Sequence, residues 1–215
     1  MTGRAKEYED KPISQQLWRE QKVKAVCDDL IAHQDLLTQL DVEIGDGDHG
    51  FNISRGANAV LKALPDWRHL NDDAFLSALG KCLLTHIGGA SGALYGTLFL
   101  TWGKTLGAGK TTAEAFFLGV ESVAQRGRSS TGDKTMLDVL VPLATHWHLD
   151  SKALGADVLQ RVESWCEDTK PLLAKKGRAA YLGERSMGHI DPGACSSMLA
   201  IKAAINGMME AGDIE

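Results

Sequence analysis

The chain has 215 residues, 44% of them hydrophobic, and a net charge of −5. That is apolar material for one sizeable core, so one domain is expected over two. The acidic balance without a basic stripe argues against a nucleic-acid partner, and no apolar run reaches the roughly 20 residues of a membrane span.

Residues 1–13, rich in Lys, Glu and Asp, read as a flexible lead-in, and residues 14–215 as the folded domain. The polar stretch Thr2–Gln16 lacks the apolar region of a signal peptide. The cysteines Cys27, Cys82, Cys166 and Cys195 form no C-x-x-C pair and lie in apolar helical stretches. They read as reduced core residues of a cytoplasmic protein. Val23, Val26, Cys27 and Leu30 recur at i, i+3, i+4, i+7, which predicts a first helix from about Ser14 to Leu37.

The most informative stretch follows it: Leu40-Asp41-Val42-Glu43-Ile44-Gly45-Asp46-Gly47-Asp48-His49-Gly50-Phe51-Asn52. Carboxylates this close repel one another unless a cation sits among them. Oxygen-only ligands suit a hard cation, and Mg²⁺ completes its shell with phosphate and water. The glycines allow the sharp turn that aims Asp41, Asp46 and Asp48 at one point. The stretch therefore reads as a Mg²⁺ cage for a phosphate compound, against the plainer reading of an acidic solvated turn.

A second helix is expected over about Gly50–Leu64, ended by Pro65. Asn71-Asp72-Asp73 opens a third, running to about His86. Ile87-Gly88-Gly89-Ala90-Ser91-Gly92 leads into a fourth, where Gly92, Gly96 and Gly103 sit among large apolar residues. Mid-helix glycine costs about 1 kcal/mol against alanine, so these positions imply close approach of a helix or ligand. Thr111 and Glu114 are spaced as a capping box for a fifth helix. The loop Arg126–Lys134 precedes a sixth, about Thr135–His148, with Pro142 as a candidate kink. A seventh is expected over Ser151–Ala174. After a glycine-rich loop, Asp191-Pro192 supplies an N-cap and an N1 proline for the eighth, whose apolar residues Ala194, Met198, Ile201, Ile205 and Met208 keep helical spacing.

Eight helices and no convincing strand give an all-α antiparallel up-and-down bundle. The loops between helices 1–2, 3–4, 5–6 and 7–8 carry the glycines, aspartates, serines and threonines. In such a bundle all four gather at one end, each feeding a helix N-terminus. Free N–H groups and the positive dipole end there suit phosphate, so one nucleotide or phosphate site is expected. Two decoys are set aside. Gly45–Gly50 matches G-x-G-x-x-G but lacks a βαβ context, and its aspartates would repel a bare pyrophosphate. Gly107–Thr112 resembles the end of a P-loop, but residue 104 is lysine. The five tryptophans show no pattern in the sequence.

The aspartate stretch resembles the metal loop of the nucleotide-binding (L) subunit of dihydroxyacetone kinase. Three further motifs agree in order: Gly88–Gly92, Gly132-Asp133-Lys134-Thr135-Met136, and Gly177–Ser186 running on to Asp191-Pro192-Gly193. The resemblance implies an eight-helix antiparallel barrel with the nucleotide site at one end. It implies two Mg²⁺ ions on Asp41, Asp46 and Asp48, bridging the phosphates of ADP or ATP. By position it assigns His49, Gly50, Phe51, Asn52, Ala90 and Ser91 to the phosphates. It assigns Gly127, Met136, Arg178, Asp191, Pro192 and Gly193 to the rest of the nucleotide, and no residue to catalytic proton transfer. The reaction implied is phosphoryl transfer to dihydroxyacetone or a related small ketose held on a separate K subunit. The donor is either a phosphotransferase-system protein that recharges a trapped nucleotide or free ATP. Two other readings stand beside it: a non-catalytic nucleotide-sensing module using the same site, and a stand-alone Mg²⁺ phosphohydrolase with His49 as its one candidate base.

Overall fold

The computed structural model of the chain describes residues 6–150, 154–212 and 214. The described residues form helices joined by turns and loops, without a strand. Nine α-helices appear among them: α1 Lys6–Ala32, α2 Gln34–Ile44, α3 His49–Ala63, α4 Asp72–His86, α5 Gly89–Gly107, α6 Thr112–Gly127, α7 Leu137–Leu149, α8 Ala156–Glu167 and α9 Pro192–Glu210. Two 3₁₀ segments, Leu64–Trp67 and Arg178–Ser186, complete the set.

The caps expected from sequence form. Asn71 accepts a hydrogen bond from the Ala74 N–H at the start of α4. Thr111 accepts from Glu114 N–H at α6, and Asp191 from Ala194 N–H at 2.7 Å at α9. Each satisfies one of the orphan donors of a first turn. The second half of the Thr111–Glu114 box does not form, because the Glu114 carboxylate pairs with Lys110 instead.

Several boundaries differ from expectation. The first helix begins at Lys6, ahead of the expected Ser14, so residues 6–13 of the expected lead-in continue α1. The first helix is broken at His33, where the Asp29 carbonyl accepts both the His33 backbone N–H and its ring Nδ1–H. The chain then resumes as α2 up to Ile44, so Asp41 stands in the last turn of a helix. Leu37, Asp41 and Ile44 form its buried face at helical spacing. The seventh expected helix is shorter at its C-terminal end: α8 stops at Glu167, Thr169 Oγ1 bonds back to the Cys166 carbonyl, and Pro171 cannot continue the helix. Residues 151–153 of that expected helix lie outside the described residues, as do residues 1–5 of the lead-in. The long loop before α9 contains the 3₁₀ segment Arg178–Ser186.

Each helix packs on its successor from α3 to α9, α3 also packs on α1, and α9 returns to pack on α1. The extra helix α2 lies against α3, α9 and the second 3₁₀ segment. The α4–α5 pair is drawn together by glycine. A Cβ on Gly80 would sit 2.7 Å from the Leu100 nitrogen, and one on Gly96 would sit 2.8 Å from Leu84 Cβ. The interior holds an apolar cavity of about 320 Å³ between α1, α3, α4, α5, α6, α7 and α9. Trp102, Phe116 and Trp147 cluster in its wall, with ring centroids 4.9–6.2 Å apart. Two of the tryptophans thus have a common place that sequence order conceals. All four cysteines are buried and free. No described helix is long and apolar enough to cross a membrane.

Candidate functional site

Asp41, Asp46 and Asp48 each offer a carboxylate oxygen, and these lie within 4.8 Å of one another. Two backbone features allow this. Gly47 has φ +74°, in the left-handed region that favours glycine. Gly45 lies so close to Asp41 that a Cβ there would come within 2.0 Å of Asp41 Oδ1. Asp41 is buried and fastens the turn, its Oδ2 accepting N–H bonds from Asp48 at 2.9 Å and His49 at 3.1 Å. It thereby also places negative charge at the N-terminus of α3, the favourable end of the dipole. Asp46 pairs with Arg178 at 2.9 Å.

Charges this close repel by roughly 1–4 kcal/mol per pair between aqueous and protein-surface dielectric. The donor set is oxygen only, and Asp46 and Asp48 are exposed toward a cleft. That chemistry fits Mg²⁺, which takes a few carboxylates and leaves positions for phosphate and water.

The cleft beside the aspartates has a volume of about 440 Å³. The first turns of α3, α5 and α9 and the residue capping α7 all reach it, through His49, Ala90 and Ser91, Pro192 and Gly193, and Met136. Gly88 is the N-cap of α5, so Ala90 and Ser91 lie in a first turn whose N–H groups have no partner inside the helix. Asn52, Gly127, Arg178 and Asp191 also line the cleft. The fold thus brings nearly all the sequence-nominated residues to one place. Two stand apart from the lining. Gly50 is packed against α2, where a Cβ would meet Gln34 O and Thr38 Oγ1 at 2.2 Å. Phe51 is 60% exposed.

His49 is buried and its ring is held at both nitrogens: Nε2 lies 3.0 Å from Ser196 Oγ and Nδ1 3.3 Å from Ser91 Oγ. Burial pushes its pKa below the ordinary histidine value, against the pull of Asp41 and Asp48. Tyr95 continues this network, its hydroxyl 2.9 Å from both Ser196 Oγ and Ser197 Oγ. Arg55 donates to Asn52 Oδ1 at 2.8 Å and to the His86 carbonyl at 2.7 Å, which orients the Asn52 amide.

Sequence reasoning passed over Arg126, Lys134 and Lys176, which also line the cleft. Of the basic residues lining the cleft, Arg178 pairs directly with Asp46, whereas the Lys134 ammonium is spent on backbone carbonyls. Lys134 stood inside a quoted motif, but nothing local marks a lysine as buried. Asp191 is buried, and burial raises its pKa to about 7, opposed by the N–H bonds of the α9 cap and by Lys134.

An all-helical domain whose acidic triad shares a cleft with several helix N-termini has the chemistry to hold a metal-complexed phosphate compound. Comparison with known proteins narrows the class. The DAK2 domain pattern matches residues 43–206. The chain is 41% identical over 177 residues to the PEP-dependent dihydroxyacetone kinase 1, ADP-binding subunit DhaL, of Listeria innocua, covering 80% of this chain and 87% of that one. It is 42% identical over 161 residues to the PTS-dependent dihydroxyacetone kinase, ADP-binding subunit DhaL, of Lactococcus lactis, covering 75% and 81%. The dihydroxyacetone kinase of C. freundii, solved in complex with AMP-PNP and Mg²⁺, superposes with a TM-score of 0.73 at 26% identity. That likeness covers 87% of this chain and 33% of the other, so the chain spans about a third of that kinase. The chain belongs to the DAK2 domain family, among relatives that are kinase subunits.

Proposed function

We propose that this chain is the nucleotide-binding subunit of a kinase for dihydroxyacetone or a related small ketose. It holds ADP or ATP with two Mg²⁺ ions and delivers a phosphoryl group to sugar bound on a separate K subunit. The observation that carries the reading is the meeting, in one cleft, of the Asp41–Asp46–Asp48 triad with the N-terminal ends of α3, α5, α7 and α9. Oxygen ligands for the metal and the free N–H groups of the first turn of α5 for the phosphates line one volume of about 440 Å³, together with Met136 and Pro192–Gly193 at the starts of α7 and α9 for the rest of the nucleotide.

When bound, Mg²⁺ neutralises charge on the phosphates. The chain's own residues position and stabilise. Asp41 holds the turn closed, Ala90 and Ser91 offer N–H groups to phosphate oxygens, and Met136 offers an adaptable apolar face to a base. Arg178 is placed to exchange its bond with Asp46 for a phosphate or ring contact. His49 has both ring nitrogens engaged, which leaves it poorly placed to act as the base of a stand-alone hydrolase. Phosphoryl transfer by positioning and charge neutralisation needs no such base on this chain.

The names of the relatives support the partner. They are ADP-binding subunits of PEP- or PTS-dependent kinases, so a phosphotransferase-system protein is the proposed donor. Exposed Phe51 and Tyr181, each close in sequence to cleft residues, give the K subunit an apolar rim to meet. The order of helix neighbours, α1–α3–α4–α5–α6–α7–α8–α9 and back to α1, supports an eight-helix antiparallel barrel with α2 applied outside the ring. We propose residues 14–215 as one domain, residues 1–13 as a lead-in to it, and the cytoplasm as its location.

The test is titration of the purified chain with ADP in the presence of Mg²⁺ and after chelation, followed by a phosphorylation assay with a K-type subunit. Asp46→Asn is expected to lower Mg-ADP affinity at least tenfold and abolish transfer while helical circular dichroism persists. Full activity in that variant would remove the metal assignment.

A further inference from the structure

Lys134 is 1% exposed, yet it carries an ammonium group that the phosphate chemistry does not require. Its Nζ donates to the Thr169 carbonyl at 2.6 Å, to the Lys170 carbonyl at 3.4 Å and to the His189 carbonyl. Three acceptors match the three N–H donors of a protonated lysine. Two of the carbonyls lie just past the end of α8, where the helix dipole favours a cation. The third lies two residues before Asp191, the cap of α9. The backbone of Lys134 itself adopts φ +62°, a conformation that L-residues hold only when the surroundings impose it.

The same residue lines the nucleotide cleft. Two residues on is Met136, whose backbone nitrogen would lie 3.5 Å from a Cβ placed on Gly193. A second strut runs alongside: Asp191 N–H donates to Thr169 Oγ1 at 3.0 Å, and that hydroxyl donates to the Cys166 carbonyl at 2.7 Å. Lys134 thus ties three sequence-distant segments, the loop before α7, the end of α8 and the entry to α9, at the wall carrying Met136 and the Asp191–Gly193 turn. The aspartate triad and the start of α5 lie outside this knot.

We propose that Lys134 is a positioning residue for the nucleoside half of the cleft, fixing the gap between Met136 and the Asp191–Gly193 turn and leaving the metal-phosphate half to assemble without it. This rests on the nucleotide reading above. Lys134→Met keeps the length of the stem and deletes the three donors. The full chain and the variant are titrated calorimetrically with Mg-ADP and, separately, with Mg-tripolyphosphate, which carries phosphates but no nucleoside. Expected is a rise of tenfold or more in the Kd for Mg-ADP and less than twofold for Mg-tripolyphosphate. A general loss of folding would weaken both alike.

Thr169→Val removes the parallel strut without touching the lysine, and the same split is expected at about threefold. It decides the matter if Lys134→Met does not fold. Equal losses for both ligands, unchanged Mg-ADP affinity, or a wild-type chain that binds Mg-ADP but not Mg-tripolyphosphate overturns the proposal. A wild-type chain that binds neither ligand overturns the nucleotide reading itself.

Discussion

Asp191 does two jobs with one carboxyl group. It caps α9 through Ala194 N–H, and it stands buried at the wall of the cleft, with its pKa raised from 3.8 to about 7 by burial. A carboxyl whose folded pKa lies above its unfolded value favours the protonated fold. Its contribution to stability is complete below about pH 4 and is lost as pH rises through 7. Asn at this position caps a helix as well as Asp does and does not titrate. Asp191→Asn is therefore expected to flatten the pH dependence of Tm between pH 4 and 8, with its gain over wild type growing toward pH 8. Thermal scans of both proteins across that range check it, and parallel curves would show that another group sets the slope. The capping role of Asp191 was legible in sequence, because Asp-Pro before an apolar helical repeat is a local signal. Its burial was not, because the groups around it, Lys134, Asp138 and Thr169, stand far from it in the sequence.

At the scale of elements, the helices reveal where local signals end. Asn71, Thr111 and Asp191 announced three helix starts correctly because an N-cap acts within three residues of itself. The break at His33 had no such announcement, and Pro171 was a visible stop for α8 that the apolar pattern overshadowed. The glycines of α4 and α5 were partly legible: Gly92, Gly96 and Gly103 stood out as costly inside a helix, and the structure places Gly96 and Gly103 against α4. Gly80, on the partner helix, had no distinguishing pattern, yet a Cβ there would meet Leu100 N at 2.7 Å and Gly96 O at 3.0 Å. Alanine at 80 raises helix propensity by up to about 1 kcal/mol, but forcing two backbones apart costs about 1–3 kcal/mol. We expect Gly80→Ala to lower Tm by several degrees, with the helical circular dichroism of the folded protein unchanged. A rise in Tm would mean that α5 yields freely.

For the whole molecule, the relevant fact is that the first and last described helices, α1 and α9, pack on each other. The return of the chain to its start puts the feeding loops of α3, α5, α7 and α9 around one cleft, and α1 and α9 both line the apolar cavity. Tyr181, two residues past Ala179 of the cleft lining, is 90% exposed. A side chain that buries nothing in the monomer contributes little to its stability, while an exposed tyrosine is a frequent anchor at protein interfaces. Tyr181→Ala is expected to raise the KM for a K-type subunit about threefold or more and to leave the Kd for Mg-ADP unchanged. Steady-state assays at varied K-subunit concentration check this, and an unchanged KM would move the docking face elsewhere.

Reading the chain alone was enough to nominate the acidic triad, the helix starts at their caps and the family resemblance, since each of these is written in residues a few positions apart. Spacing along the backbone sets which carboxylates can converge and which hydroxyl can cap a turn. The fold itself determined the rest: that Asp41 ends a helix and fastens the turn after it, that Trp102 and Trp147 share a cavity wall, and that Lys134 is buried among carbonyls 35 to 55 residues away. Burial and charge pairing depend on which distant surfaces pack together, and no short stretch of sequence carries that information.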